Sequence, residues 1–197
     1  MSAPPAAPIV LASTSPQRRA ILEQLQIPFE VVAPRYEEQD PPEADAVQLV
    51  REHAQGKARS VAGDAGAKPV LGVDTAVVLA GRIFGKPADA GEAEQMLEAL
   101  SGQTHAVVSG LCLATPGWEV VDADTTFVTF RRLTPRDLAR YVAAGEWEGR
   151  AGGYAVQGFG ASLVERIDGD YLNVVGLPAA LLVRLLGERF SGVYGFG

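Results

Sequence analysis

The chain has one cysteine, Cys112, in 197 residues. A single thiol excludes an intramolecular disulfide and the four-cysteine kind of structural zinc site. Basic residues are scarce too: 17 Lys and Arg stand against 24 Asp and Glu, a net charge of −7. An acidic surface repels phosphate backbones, so no nucleic-acid polymer is expected as a partner. One small polyanion remains admissible, provided a local cluster of Lys and Arg, usually with a metal ion, receives it. Long apolar runs are missing. The most apolar late stretch, 177–186, is broken by Arg184 and falls far short of the ~20 residues of a membrane span. Residues 1–14 contain no Lys or Arg, and the apolar run 9–12 is too short for a signal-peptide core. A cytoplasmic protein with no membrane partner is the expectation. No repeat, heptad run, P-loop, dinucleotide fingerprint or nucleophile elbow is present.

What the chain does contain is the composition of a globular domain, with 47% apolar and 21% charged residues. The length fits a single domain over 1–197, with 1–8, rich in Ala and Pro, as a loose N-terminus. Residues 9–12 read as a short buried strand. It runs into a helix capped by Ser15, with Pro16 at the first helical position. A strand is expected at 29–33 and a long helix over 43–62, where Val47, Val50, Ala54, Ala58 and Val61 recur at helical spacing. Residues 70–73 and 76–79 read as strand around a polar insert, Asp74-Thr75. A helix begins near Asp89. Two long β runs, 105–114 and 120–130, flank the turn Pro116-Gly117. Thr134 caps the next helix, 149–160 is Gly-rich and aromatic, 162–167 and 171–175 suggest a hairpin, and 177–186 is the closing helix. Early alternation of strand and helix followed by long β runs predicts an α/β protein with a mixed sheet and flanking helices.

Four segments carry candidate chemistry. In LASTSPQRR, residues 11–19, a strand ends and a helix opens with Arg18 and Arg19 in its first turn. A helix N-terminus offers free N–H groups and partial positive charge to a phosphate, and the arginines add charge-assisted bonds. A plain capped helix with solvated arginines is the alternative. In GVDTAVVL, residues 72–79, Asp74 sits inside an apolar run. A buried carboxylate must meet a metal, a cation or water, so Asp74 either serves a site or turns between strands. In GKP, residues 85–87, Lys86 is held between Gly and Pro, either toward phosphate or merely solvated. Lys57 reads as a second such lysine or as a snorkelling one. The acidic run 37–40, with Glu38, offers a hard-metal ligand or a solvated loop. In AGGYAVQG, residues 151–158, glycines permit close approach of a flat ligand, Tyr154 could stack on it, and the Gln157 amide could read base edges. His53 and His105 stand isolated, without metal-ligand spacing, and Cys112 reads as a passive sheet residue.

Together these segments, in their order, resemble the Maf family of nucleoside triphosphate pyrophosphatases. The resemblance runs through LASTSPQRRAILEQL, the EEQ after FEVVAPRY, GVDTAVVLAGRIFGKP, MLEALSGQTHAVVSG and RAGGYAVQGFGASLVERIDGDYLNVVGLP, nearly the whole chain. It implies an α/β fold with two lobes around a central cleft, of the Maf/ITPase-like kind. It implies hydrolysis of a nucleoside triphosphate between the α and β phosphates, to the monophosphate and pyrophosphate. Carried over, Asp74 matches the proton acceptor, and Ser13, Arg18, Lys57 and Lys86 match phosphate-site positions. Glu38 matches an acidic position tied to the metal, which Asp74 would share. Thr75 and Gln157 match positions of base choice and fit the dTTP/UTP branch rather than the 7-methyl-GTP branch. Gln17 stands where many pyrimidine-preferring members carry arginine, a specificity-linked departure. The family implies Mg²⁺ or Mn²⁺, and many members are homodimers. The competing functions are a house-cleaning enzyme for modified purine nucleotides and a non-catalytic nucleotide-binding regulator of septum formation.

Overall fold

The computed structural model describes residues 6–39 and 44–197. Most of the expected loose segment 1–8, together with Asp40 and Glu43, lies outside the described residues. The strands are β1 (Ile9–Ala12), β2 (Phe29–Val31), β3 (Val70–Leu79), β4 (Arg82–Phe84), β5 (Thr104–Thr115), β6 (Trp118–Phe130) and β7 (Val164–Asp168). The helices are α1 (Pro16–Gln24), α2 (Ala46–Ala65), α3 (Ala90–Leu100), α4 (Pro135–Ala143), α5 (Tyr171–Val175) and α6 (Ala179–Phe190). The strands form one seven-stranded sheet in the order β2-β1-β3-β5-β6-β7, with β4 also paired to β3. β1 is parallel to β2 and β3, whereas β4 is antiparallel to β3 and β7 to β6. The chain is therefore α/β with a mixed sheet and flanking helices. No helix of the described residues is long and apolar enough to cross a membrane.

The chain divides into two compact units, one comprising the residues up to Asp74 with 109–124 and 176–197, the other 75–108 and 125–175. In the first unit α2 packs on the sheet. Asp45 caps it by accepting the Gln48 N–H at 2.8 Å, and Gly66, at φ 63°, ends it. Its small apolar face, Ala54, Ala58, Val61 and Ala65, packs against Val10, Ala12, Val70 and Cys112. The approach is unusually close. A Cβ on Gly72 of β3 would lie 2.1 Å from the Ala54 carbonyl oxygen, and one on Gly110 of β5 would lie 2.1 Å from that of Val50. Two glycines thus let the helix backbone rest on the strands. Cys112 is fully buried there, and burial, the largest influence, pushes its thiol up to about 12.

The second unit has its own core, which includes Leu97, Leu100, Phe130, Tyr141 and Leu163. Thr134 and Asp137 form a reciprocal cap at the start of α4, and Arg131 clamps the same carboxylate at 2.9 and 3.0 Å. His105 and Tyr154 meet in this core, imidazole Nε2 to hydroxyl at 2.8 Å, edge-on to Phe130.

Three expectations need correction. β3 is one continuous ten-residue strand, with Asp74 and Thr75 inside it rather than in an insert. Residues 171–175 form helix α5, not the second arm of a hairpin. The Asp170 carboxylate accepts the Leu172 N–H at 2.8 Å and turns the chain, and β7 pairs with β6 instead. The described helix α2 starts at Ala46 because Asp45 supplies the cap.

Candidate active site

The first unit holds two linked groups of side chains. At the end of β1 the chain turns through 13–15 into α1. Ser15 caps that helix, its Oγ accepting the Arg18 N–H at 3.5 Å, and Pro16 occupies the first turn. Ser13 is buried, and its Oγ accepts from the Ser15 N–H at 3.2 Å and from Arg18 Nη1 at 3.1 Å. Arg18 Nε donates to the Gly176 carbonyl at 2.9 Å, which fixes the plane of the guanidinium. Gln17 is turned back on the cap, its amide oxygen accepting from Ser15 Oγ at 3.1 Å.

The second group centres on Asp74. Gly72 and Asp74 are two residues apart on β3, so both face the same side, toward α2. Two α2 residues one turn apart reach it. Lys57 Nζ lies 2.6 Å from Asp74 Oδ1, and His53 Nδ1 lies 3.4 Å from Oδ2. Lys57 also bridges to Glu38 Oε1 at 2.5 Å, and His53 Nε2 lies 3.3 Å from the Gln39 carbonyl oxygen. The segment bearing Glu38 is seated by Tyr36, whose ring covers the bare backbone of Gly56: a Cβ there would fall 2.3 Å from Cε2. Tyr36 also packs against the His53 ring, centroids 5.7 Å apart.

Electrostatics follow from this crowding. Burial is the largest single influence on Asp74 and favours its neutral form. The hydrogen bond from His53 and the charges of Lys57 and Arg18 outweigh it, and hold the carboxyl down at about 2. Asp74 is therefore ionised at neutral pH. Burial lowers the Arg18 guanidinium, and Asp74 and Glu38 oppose that shift. Glu38, His53 and Asp74 each offer one ligand atom, all within 4.8 Å of one another. Two carboxylates and an imidazole suit a divalent cation, with the carboxylates supplying the hard oxygens that Mg²⁺ or Mn²⁺ prefers.

The structure thus brings Glu38, Lys57 and Asp74 together, and Ser13 together with Arg18 and the Gln17 cap. Thr75, Lys86 and Gln157 belong to the second unit. Thr75 follows Asp74 on β3, half-buried. Lys86 is exposed in the segment after β4, and Gln157 is exposed in the turn at 156–158. Their two loops are joined, the Gly152 N–H donating to the Gly85 carbonyl at 3.0 Å, with Gly152 at φ 68°. Tyr154 offers no face to a base: it is buried in the core against His105 and Phe130. His53, set aside as isolated, is part of the Asp74 group. The available signal was its place four residues before Lys57, on the same face of the helix.

The family described as Maf-like protein matches residues 8–189. A dTTP/UTP pyrophosphatase of Deinococcus radiodurans is 44% identical over 197 residues, covering 100% of both chains. One from Gloeobacter violaceus is 47% identical, covering 91% of this chain and 95% of its own, and one from Escherichia coli O157:H7 is 46% identical, covering 91% and 92%. With matched residues spanning nearly the whole sequence and the same segments building the Asp74 group, this chain belongs to the Maf-like protein family.

Proposed function

We propose that the protein hydrolyses dTTP and UTP between the α and β phosphates, releasing the nucleoside monophosphate and pyrophosphate. It is a nucleoside triphosphate pyrophosphatase, a hydrolase. The observation that carries this reading is the ionised Asp74, held on a strand between Lys57 and His53 and bridged by Lys57 to Glu38. Names of relatives at 44–47% identity support the substrate pair.

The reaction needs a placed water, neutralised phosphate charge and a stabilised leaving group, more than covalent help from the protein. Water oxygen attacks the α-phosphorus. The bond from that phosphorus to the oxygen bridging to the β-phosphorus breaks, and pyrophosphate leaves with the electron pair. Asp74 accepts the water proton on its carboxylate. At about 2 it is a weak base, because the neighbouring cations override the effect of burial. Glu38 and Asp74 would hold the divalent cation, which when bound supplies a more acidic water and charge neutralisation. Lys57, Arg18, Lys86 and Ser13 receive phosphate oxygens in this reading. Thr75 and Gln157 read the base, since an amide that both donates and accepts matches the O4/N3–H edge of thymine and uracil.

The test is pyrophosphate release with Mg²⁺ or Mn²⁺ from dTTP, UTP, CTP, ATP, GTP and 7-methyl-GTP. The expected order places dTTP and UTP ahead of the purines. Preference for 7-methyl-GTP would overturn the pyrimidine assignment, and no release from any of them would leave a nucleotide-binding regulator.

A further inference from the structure

We propose that Tyr36 is a positioning residue of the hydrolysis. Its ring, seated on the bare backbone of Gly56, holds Glu38 beside Lys57, so Gly56 serves the site although it weakens the helix. The inference rests on the reading of Glu38 as part of the site.

Residues 32–39 belong to no helix or strand, so side chains must fix their course. Residues 35–39 run along one stripe of α2. The Gln39 carbonyl lies at His53, Glu38 at Lys57, Tyr36 at Gly56, and Arg35 at Ser60 and Asp64. Helix positions 53, 57, 60 and 64 share one face, with Gly56 beside them. The fastenings are unequal. Glu38 is exposed, and one ion pair to such a carboxylate does not order five residues. The Arg35–Asp64 pair is exposed on both sides, 62% and 49%, and contributes little. The Arg35 N–H is better held: it donates to Ser60 Oγ at 3.1 Å, and that hydroxyl donates in turn to the Lys57 carbonyl at 2.7 Å. Half-buried Tyr36 is the apolar anchor, two residues before Glu38.

The glycine is the independent observation. Glycine is the poorest helix former after proline, and α2 carries Gly56 and Gly63 in its interior. At Gly63 an added Cβ would have nothing within 4 Å. At Gly56 it would come within 2.6 Å of Cε2, Cδ2 and Cζ of Tyr36. The ring therefore requires the missing side chain. It also meets the His53 ring, centroids 5.7 Å apart, three residues along the same helix. The clash at Gly56 falls on a side chain that can swing away, not on backbone. Alanine there expels Tyr36 and leaves α2 intact, which separates the seat from the stability of the fold.

The test is a set of single and paired variants, assayed for dTTP turnover with Mg²⁺ and for thermal melting. Tyr36→Ala and Gly56→Ala should each lower kcat/KM roughly 10- to 100-fold. Tyr36→Phe, which keeps the ring, should stay near wild type. Gly56→Ala should melt within about 4 °C of wild type, because alanine strengthens the helix. Glu38→Gln should itself be impaired, and adding Tyr36→Ala to it should lower kcat/KM by less than about 2-fold more. A residue that acts through Glu38 then has nothing left to position. Proton NMR of the protein without nucleotide or metal gives a reading independent of turnover: the Gly56 Hα resonances should carry a ring-current shift that Tyr36→Phe keeps and Tyr36→Ala removes. Equal penalties for Tyr36→Ala with and without Glu38 would overturn the positioning role and leave Glu38 in the site. Wild-type turnover in Gly56→Ala, or no ring-current shift at Gly56 in the wild type, would overturn the seat. Wild-type turnover in Glu38→Gln would remove Glu38 from the site and this role with it. A wild type that releases no pyrophosphate removes the proposed function, and the role falls whatever the resonances show.

Discussion

Gly72→Ala is the smallest change that tests how this site is assembled. The added Cβ would sit 2.1 Å from the Ala54 carbonyl oxygen, 2.8 Å from the Ala58 nitrogen and 2.9 Å from the Ala58 Cβ. Ordinary contacts begin near 3.4 Å, and two of these neighbours are helix backbone, which a rotamer change does not move. Helix α2 must lift by roughly 1 Å, an overpacking cost of about 1–3 kcal/mol. Loss of glycine's freedom in the unfolded chain offsets about 0.4–1 kcal/mol of that. For a chain of this size each kcal/mol corresponds to ~2–4 °C, so Tm should fall by several degrees. The same lift separates Lys57 and His53 from Asp74, two residues along β3. Misplacement on this scale costs up to ~10²-fold in rate. Gly63→Ala is the matched control, on the exposed side of the same helix with nothing within 4 Å of an added Cβ. It should leave kcat/KM unchanged and raise stability by up to ~1 kcal/mol. Thermal melts and dTTP turnover on both variants decide the matter. Wild-type Tm and turnover in Gly72→Ala would refute the idea that the missing side chain sets the helix height.

Asp74→Asn should cut turnover at least ~10²-fold while the fold survives, because the change is nearly isosteric; near-native pyrophosphate release would remove Asp74 from the chemistry. Stability should also depend on pH through His105. Burial holds its imidazole down at about 4, against 6.5 when unfolded, and its Nδ1 has no hydrogen-bond partner among the described residues. The unfolded chain binds the proton more readily, so this contribution is complete above pH 6.5 and is lost as pH falls toward 4. Between pH 7.5 and 4.5 the loss is roughly 2–3 kcal/mol. Urea unfolding at the two pH values should show a smaller loss in His105→Gln than in wild type, and equal losses would disprove the assignment.

The sequence made most elements legible, because their local chemistry is strong. Ser15-Pro16, Asp89 and Thr134-Pro135 announce helix starts through their own hydrogen bonds, and the structure places α1, α3 and α4 there. It misled where a local preference met a distant partner. Residues 171–175, YLNVV, have strand character, yet one Asp170 cap bends them into α5. Asp74-Thr75 reads as a break in β3 until Lys57 and His53 arrive to satisfy the carboxylate inside the strand. Tyr154 sits beside exposed Gln157 in sequence, but its hydroxyl is drawn into the core by His105, 49 positions away. His53 carries one signal in the sequence, its place four residues before Lys57 on one helical face, but the partners that give it a role come from β3 and the loop before α2.

Cys112 gives the fold a chemical clock. It is the chain's sole thiol, it lies fully buried under α2, and its thiol is held at about 12. Only the thiolate reacts with oxidants and alkylating reagents, so the folded protein is almost inert to them near neutral pH. Any modification must wait for the helix to part from the sheet. The rate at which a thiol reagent labels this chain therefore times the opening of the same interface that brings Lys57 to Asp74, with no other sulfhydryl to blur the signal.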